Sequence, residues 1–220
     1  MKIMNKNKLL SILGSTGTIG VNALEIKKID TYYNIYALTA NNNSDLLLKQ
    51  AKKFTPEFIV IANESKYSQV KSELFGSGIK ILSGKTGLLE VASKATDVTL
   101  SAISGSDGIE PSVTSINNTK NLALANKETI VSMGKLLFDK DINKTTKIIP
   151  VDSEHNSIFN LLQKIKRSDI REIILTASGG PFLNTPINDL RSVNATDALK
   201  HPTWSMGKKI SIDYQNQTHY

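Results

Sequence analysis

Short apolar runs recur along the first 151 residues of this 220-residue chain, and segments of helical periodicity separate them. The runs predict strands over 9–13, 34–40, 58–62, 79–82, 98–103, 122–125 and 147–151. The segments between them predict helices over 19–28, 44–53, 66–75, 87–95, 111–117 and 127–139, with Ser44 as an N-cap. Strands that read as continuous apolar runs are buried on both faces, as in a parallel sheet. Alternation with helices at this spacing predicts an α/β chain, a doubly wound Rossmann-type parallel sheet. After residue 151 the rhythm changes to a helix over 157–166, a strand over 172–177, a Gly179-Gly180-Pro181 break and a polar loop. A domain change is therefore expected near Pro150, with a nucleotide domain over 1–150 and an incomplete α+β catalytic portion over 151–220.

Composition removes several function classes. With 40% hydrophobic residues the chain can bury a core, which argues against disorder. The absence of cysteine excludes disulfides, thiolate metal sites and cysteine catalysis, and makes a reduced, cytoplasmic setting the expectation. No apolar run reaches the roughly 20 residues of a membrane helix, so no membrane partner is expected. The lysine-rich start resembles a signal peptide only superficially, because its apolar part is short and runs straight into a glycine motif. The net charge of +7 comes from scattered lysines without interleaved aromatics. That pattern suits an anionic small molecule or plain solubility, and no nucleic acid partner is expected.

The most informative local motif is G-S-T-G-T-I-G, from Gly14 to Gly20, between the first predicted strand and helix. Gly14 permits the tight turn, Gly17 the approach of a pyrophosphate, and Gly20 close packing of helix on strand. Amides at the helix start then face phosphates, which adds Thr16, Thr18 and Ile19 to the cofactor-binding candidates. A glycine-rich turn without nucleotide is the plain alternative. At the end of the second strand, Asn41, Asn42 and Asn43 stand where an acidic residue would select NAD. No carboxylate repels a 2′-phosphate there and no arginine clamps it, so NADPH is permitted. Farther on, Asp152 and Glu154 lie two residues apart at a predicted strand end. In extended backbone both side chains point to one side and suit Mg2+ or Mn2+. Solvated carboxylates at a strand end are the alternative on the residues alone.

Four further segments follow in order: L-A-N-K-E-T (124–129), P-V-D-S-E-H-N (150–156), S-G-G-P-F (178–182) and H-P-T-W-S-M-G-K-K-I-S-I-D (201–213). Together with the glycine motif they resemble the signature segments of the 1-deoxy-D-xylulose 5-phosphate reductoisomerases. The resemblance covers residues 9–213. It implies a homodimeric, metal-dependent enzyme that converts 1-deoxy-D-xylulose 5-phosphate to 2-C-methyl-D-erythritol 4-phosphate with NADPH. The metal would polarise the ketone and hydroxyl oxygens of the sugar phosphate. The skeleton would rearrange to an aldehyde, which NADPH would reduce. By the same resemblance Asp152 and Glu154 hold the metal, while Ser153, Ser178 and His201 hold the substrate. Lys127 contacts substrate. Asn126, Glu128 and Gly207 contact NADPH, and Trp204 closes as a lid. Lys127, Asp152, Glu154 and His201 are the catalytic candidates.

The last residues depart from the pattern. Where the family continues with a serine, an asparagine, a lysine and a third metal carboxylate, this chain reads Tyr214-Gln215-Asn216-Gln217-Thr218-His219-Tyr220. The expectation is a chain that binds NADPH and is inactive alone.

Overall fold

The computed structural model describes residues 7–29, 32–174 and 181–200. The chain divides into two compact units, Met1–Lys164 and Ile165–Tyr220. In the first, seven strands form one all-parallel sheet: β1 (Lys8–Leu13), β2 (Tyr33–Ala40), β3 (Phe58–Ile61), β4 (Lys80–Ser83), β5 (Thr96–Ser101), β6 (Thr119–Leu124) and β7 (Lys147–Pro150). Their spatial order is β4-β3-β2-β1-β5-β6-β7. The chain thus leaves β1 in one direction as far as β4, then returns to the other side of β1 as β5. That reversal is the topological switch point of a doubly wound fold, where ligands bind beyond the strand ends.

Helices α1 (Thr18–Ile29), α2 (Ser44–Phe54) and α3 (Tyr67–Glu73) contribute to one core, with Leu24, Leu47, Ala51 and Val70 packed on Ile12, Leu38, Ile59 and Ile61. Helix α4 (Gly84–Ala92) closes a second core through Leu88 and Val91 on Leu13, Ala37 and Val60. Helices α5 (Ile109–Thr114) and α6 (Lys127–Phe138) flank a third core, in which Leu137 packs with Leu122 and Leu124. The pattern of α2 shows why it folds there: Leu47, Leu48 and Ala51 are buried, while Lys49, Lys52 and Lys53 face outward. Each fully buried leucine or isoleucine contributes roughly 1.5–3 kcal/mol.

The structure shifts several sequence expectations. Asn43, rather than Ser44, caps α2, and its side chain accepts from the Leu46 amide at 3.1 Å. The helix expected over 157–166 is α7 (Ser153–Leu162), started four residues earlier because the Asp152 side chain caps it. Residues 172–174 of the expected strand have no regular structure, and 175–177 lie outside the described residues. In the second unit the expected polar loop holds two short elements, a 3-10 turn at Ile187–Ser192 and α8 (Ala195–Ala198). Asn194 and Asp197 form a capping box that starts α8. Among the described residues no helix is long and apolar enough to cross a membrane.

At the opposite end of the sheet from the switch-point loops, one carboxylate joins three strands. Asp97 on β5 accepts from the Leu9 amide of β1 at 2.9 Å and from Lys120 Nζ of β6 at 2.7 Å. Those hydrogen bonds, Lys120 first, hold the Asp97 carboxyl below its ordinary value of 3.8. A lowered folded-state value stabilises the fold fully above 3.8, and this contribution is lost as pH falls from there through the lowered value. Asp97→Asn is expected to cost about 1–2 kcal/mol at neutral pH. Denaturant melts against pH should show wild type beginning to converge on the variant as pH falls below 3.8.

Candidate functional site

At the switch point, the carboxyl ends of β1, β2 and β5 surround a cavity of about 470 Å3. The turn after β1 contributes Gly14, Thr16 and Gly17, and the end of β2 contributes Thr39, Ala40 and Asn41. Opposite them stand Leu88 and Leu89 of α4, with Lys85 in its first turn. The loop after β5 adds Ala102, Ile103, Ser104, Ser106 and Asp107, and Glu110 and Pro111 open α5. Apolar walls with polar groups at the rim suit a flat heteroaromatic ring joined to a charged, hydroxylated tail.

The three glycines do different work. Gly14 has φ +88°, and an added Cβ would lie 2.8 Å from the Ala102 carbonyl oxygen. A Cβ on Gly20 would lie 2.4 Å from the Gly14 oxygen, so α1 reaches the turn only because residue 20 has no side chain. Both are demanded by the fold itself. Gly17 is not: its Cβ would meet only the Gly14 oxygen at 3.5 Å and the Ala102 oxygen at 4.0 Å, ordinary contacts. The protein's own packing leaves Gly17 unexplained, and its missing side chain leaves room for a ligand to approach the backbone at the start of α1.

The turn is held from behind by residues that the sequence did not single out. The Gly14 amide donates to Thr39 Oγ1 and the Ser15 amide to the Thr39 carbonyl, both at 2.8 Å. Ser15 Oγ donates to Gln50 Oε1 at 2.7 Å, and Gln50 Nε2 donates back to the Ser15 carbonyl at 2.8 Å. Ser15 and Gln50 are both buried. The signal was a polar residue on the apolar face of α2, three positions after Leu47. Gln50→Leu leaves the buried Ser15 carbonyl unpaired, while the Ser15 hydroxyl keeps the Thr39 carbonyl at 3.1 Å, and is expected to cost about 1–2 kcal/mol, seen as a lowered urea midpoint.

The structure separates the other nucleotide candidates. Asn41 lines the cavity. Asn42 Oδ1 accepts from Asn63 Nδ2 at 2.8 Å, and Asn43 caps α2. Thr18 and Ile19 are exposed in the first turn of α1 and do not line the cavity. Asn126 lies buried beneath the loop after β5. Its Nδ2 donates to the carbonyls of Ile103 at 2.7 Å and Gly105 at 2.9 Å, and its Oδ1 caps α6 by accepting from the Thr129 amide. It shapes the cavity through that loop. Glu128 follows in the first turn of α6.

A second cluster sits beyond β6 and β7, which are neighbours in the sheet. Lys127 Nζ lies 3.5 Å from Asp152 Oδ2, and His155 Nδ1 lies 3.9 Å from Asp152 Oδ1. The extended geometry expected of Asp152 and Glu154 does not form. The strand ends at Pro150 and Asp152 turns to cap α7, leaving Glu154 in its first turn, where Oε2 accepts from Ser153 Oγ at 2.7 Å. Carboxylates at a helix start are favoured by the helix dipole, which draws these two residues into α7. Among the described residues no group of three His, Asp or Glu side chains is arranged to hold a metal. Ser178, His201, Trp204 and Gly207 lie outside the described residues.

Comparison with known proteins agrees with this geometry. The family described as 1-deoxy-D-xylulose 5-phosphate reductoisomerase matches residues 10–134, and its C-terminal domain family matches residues 148–217. The reductoisomerase of Bacteroides thetaiotaomicron is 46% identical over 211 residues, 95% of this chain and 54% of the relative. That of the Wolbachia of Culex pipiens is 46% identical over 208 residues, covering 94% and 53%. The solved reductoisomerase of Zymomonas mobilis in complex with NADPH superposes with a TM-score of 0.85 at 37% identity, over 96% of this chain and 55% of that one. A reductoisomerase in complex with NADPH, fosmidomycin and magnesium gives 0.83 at 36% identity, over 96% and 55%. The chain therefore spans about half the length of the relatives it matches. With a doubly wound sheet, a glycine turn at its switch point and these matches along nearly all its length, the chain belongs to the 1-deoxy-D-xylulose 5-phosphate reductoisomerase family.

Proposed function

We propose that residues 1–150 bind NADPH in the switch-point cavity, and that residues 151–220 carry part of the metal and substrate site of the reductoisomerase reaction. The observation that carries this reading is Gly17, a glycine the protein's own packing does not need, at the cavity wall where α1 begins. Thr16 and Gly17 present backbone at the helix start to the pyrophosphate, and Leu88, Leu89 and Pro111 supply apolar walls for the adenine.

Substrate 1-deoxy-D-xylulose 5-phosphate is read to lie beyond β6 and β7. Bound there, a divalent cation supplies Lewis acidity at the sugar oxygens and NADPH supplies the hydride that yields 2-C-methyl-D-erythritol 4-phosphate. Asp152 and Glu154 offer the hard oxygen donors such a cation takes. Lys127, paired with Asp152 until a ligand arrives, offers a positive charge to a substrate oxygen. Ser153, Ser178, His201 and Trp204 complete the contacts by family resemblance, as does homodimer formation.

One observation favours nucleotide binding without turnover by these 220 residues alone. Two carboxylates, with no third among the described residues, hold a divalent cation weakly. Adding the substrate and Mg2+ to the chain with NADPH, and following NADPH absorbance, is expected to show no consumption. Steady consumption abolished by Asp152→Asn would show that the chain is a complete catalyst.

A further inference from the structure

We infer that Lys85 is the residue that selects NADPH over NADH, by exchanging its partner Glu110 for the 2′-phosphate of the nucleotide; this rests on the nucleotide reading above. The two cofactors differ only in that phosphate, which brings a dianionic group into the cavity at neutral pH. Among the described residues lining the cavity, Lys85 is the single cation, against two carboxylates, Asp107 and Glu110. At the end of β2, where an arginine could have clamped the phosphate, the lining residue is the neutral Asn41. A cavity of this charge without Lys85 would repel the 2′-phosphate.

The placement of Lys85 allows the exchange. It stands in the first turn of α4, and Glu110 stands in the first turn of α5, so their ion pair at 2.5 Å reaches from one helix of the cavity wall to the other. The side chains are 72% and 53% exposed. An ion pair this open to water is weak. A charge-assisted hydrogen bond from an ammonium to a phosphate dianion is stronger, and so the incoming phosphate wins the lysine. Glu110 keeps the ammonium at the cavity until then, and its own charge works against the phosphate once it arrives.

Dissociation constants for NADPH and NADH, measured by fluorescence of the bound nicotinamide, test this in wild type and three variants of the 220-residue chain. Lys85→Gln is expected to weaken NADPH about tenfold and to leave NADH within about twofold. Lys85→Arg should keep the preference, and Glu110→Gln should strengthen NADPH several-fold with NADH unchanged. Because Lys85 is open to solvent, the thermal midpoint of Lys85→Gln should match wild type. Equal losses for both nucleotides in Lys85→Gln, or an unchanged NADPH-to-NADH ratio, would overturn the inference while leaving the cavity reading intact. Wild type binding neither nucleotide would overturn both, a pattern distinct from the other two.

Discussion

Gly20→Ala is expected to destabilise the chain by about 3 kcal/mol, the upper end of what overpacking usually costs. Its Cβ would sit 2.4 Å from the Gly14 carbonyl oxygen and 2.6 Å from the Ser15 Cα, both backbone atoms that cannot rotate away. Relief requires α1 to move off the turn, and α1 carries Leu24, which is 2% exposed in the largest core. The turn cannot give instead, because Thr39 and Gln50 hold it from the sheet side. A fall in the urea midpoint with an unchanged slope is the expected reading. A midpoint equal to wild type would mean that helix and turn are farther apart than described.

Gly17→Ala should do the reverse. With no protein atom closer than 3.5 Å to the added Cβ, the fold should lose no more than about 1 kcal/mol, the difference between glycine and alanine at a helix start. NADPH affinity should fall by about a hundredfold, because the methyl group stands between the pyrophosphate and the amides at the start of α1, and two charge-assisted hydrogen bonds are lost. The test is the contrast between the variants: Gly20→Ala weak in melts, Gly17→Ala weak in binding. If Gly17→Ala binds NADPH as wild type does, the pyrophosphate lies elsewhere and the glycine turn is merely a turn.

The sheet was legible in the sequence because burial on both faces writes each strand as an apolar run. Phe58-Ile59-Val60-Ile61, buried at all four positions, shows the rule at its clearest. The same rule failed at Ile173 and Ile174, which are exposed and in no strand, because an apolar run becomes a strand only when a neighbour pairs with it. Helix starts were harder to place. Helix α2 begins at the expected Ser44, with Asn43 rather than Ser44 as its cap, but α7 begins four residues before the expected 157, because Asp152 starts it by side-chain capping ahead of the apolar pattern.

In the candidate site, residues that form a spaced motif were visible, and those that act through packing were not. Gly14, Gly17 and Gly20 stood out as a spaced set, but Gln50 holds the same turn from 35 positions away. Lys85 and Glu110 meet only because α4 and α5 are brought side by side by the crossover from β4 to β5. Asp152 and Glu154 were found by type and spacing, while their geometry depended on where the strand ended.

Nucleotide occupancy of the cavity at the carboxyl ends of β1, β2 and β5 decides the function proposed for these residues. Calorimetric titration of NADPH into the 220-residue chain tests this most directly. One saturable site per chain, tighter for NADPH than for NADH and accompanied by a raised thermal midpoint, is the expected result. A chain that melts cooperatively yet takes up no NADPH would contradict it, because the turn, the cavity and the helix start would then be present without the ligand they are read to hold.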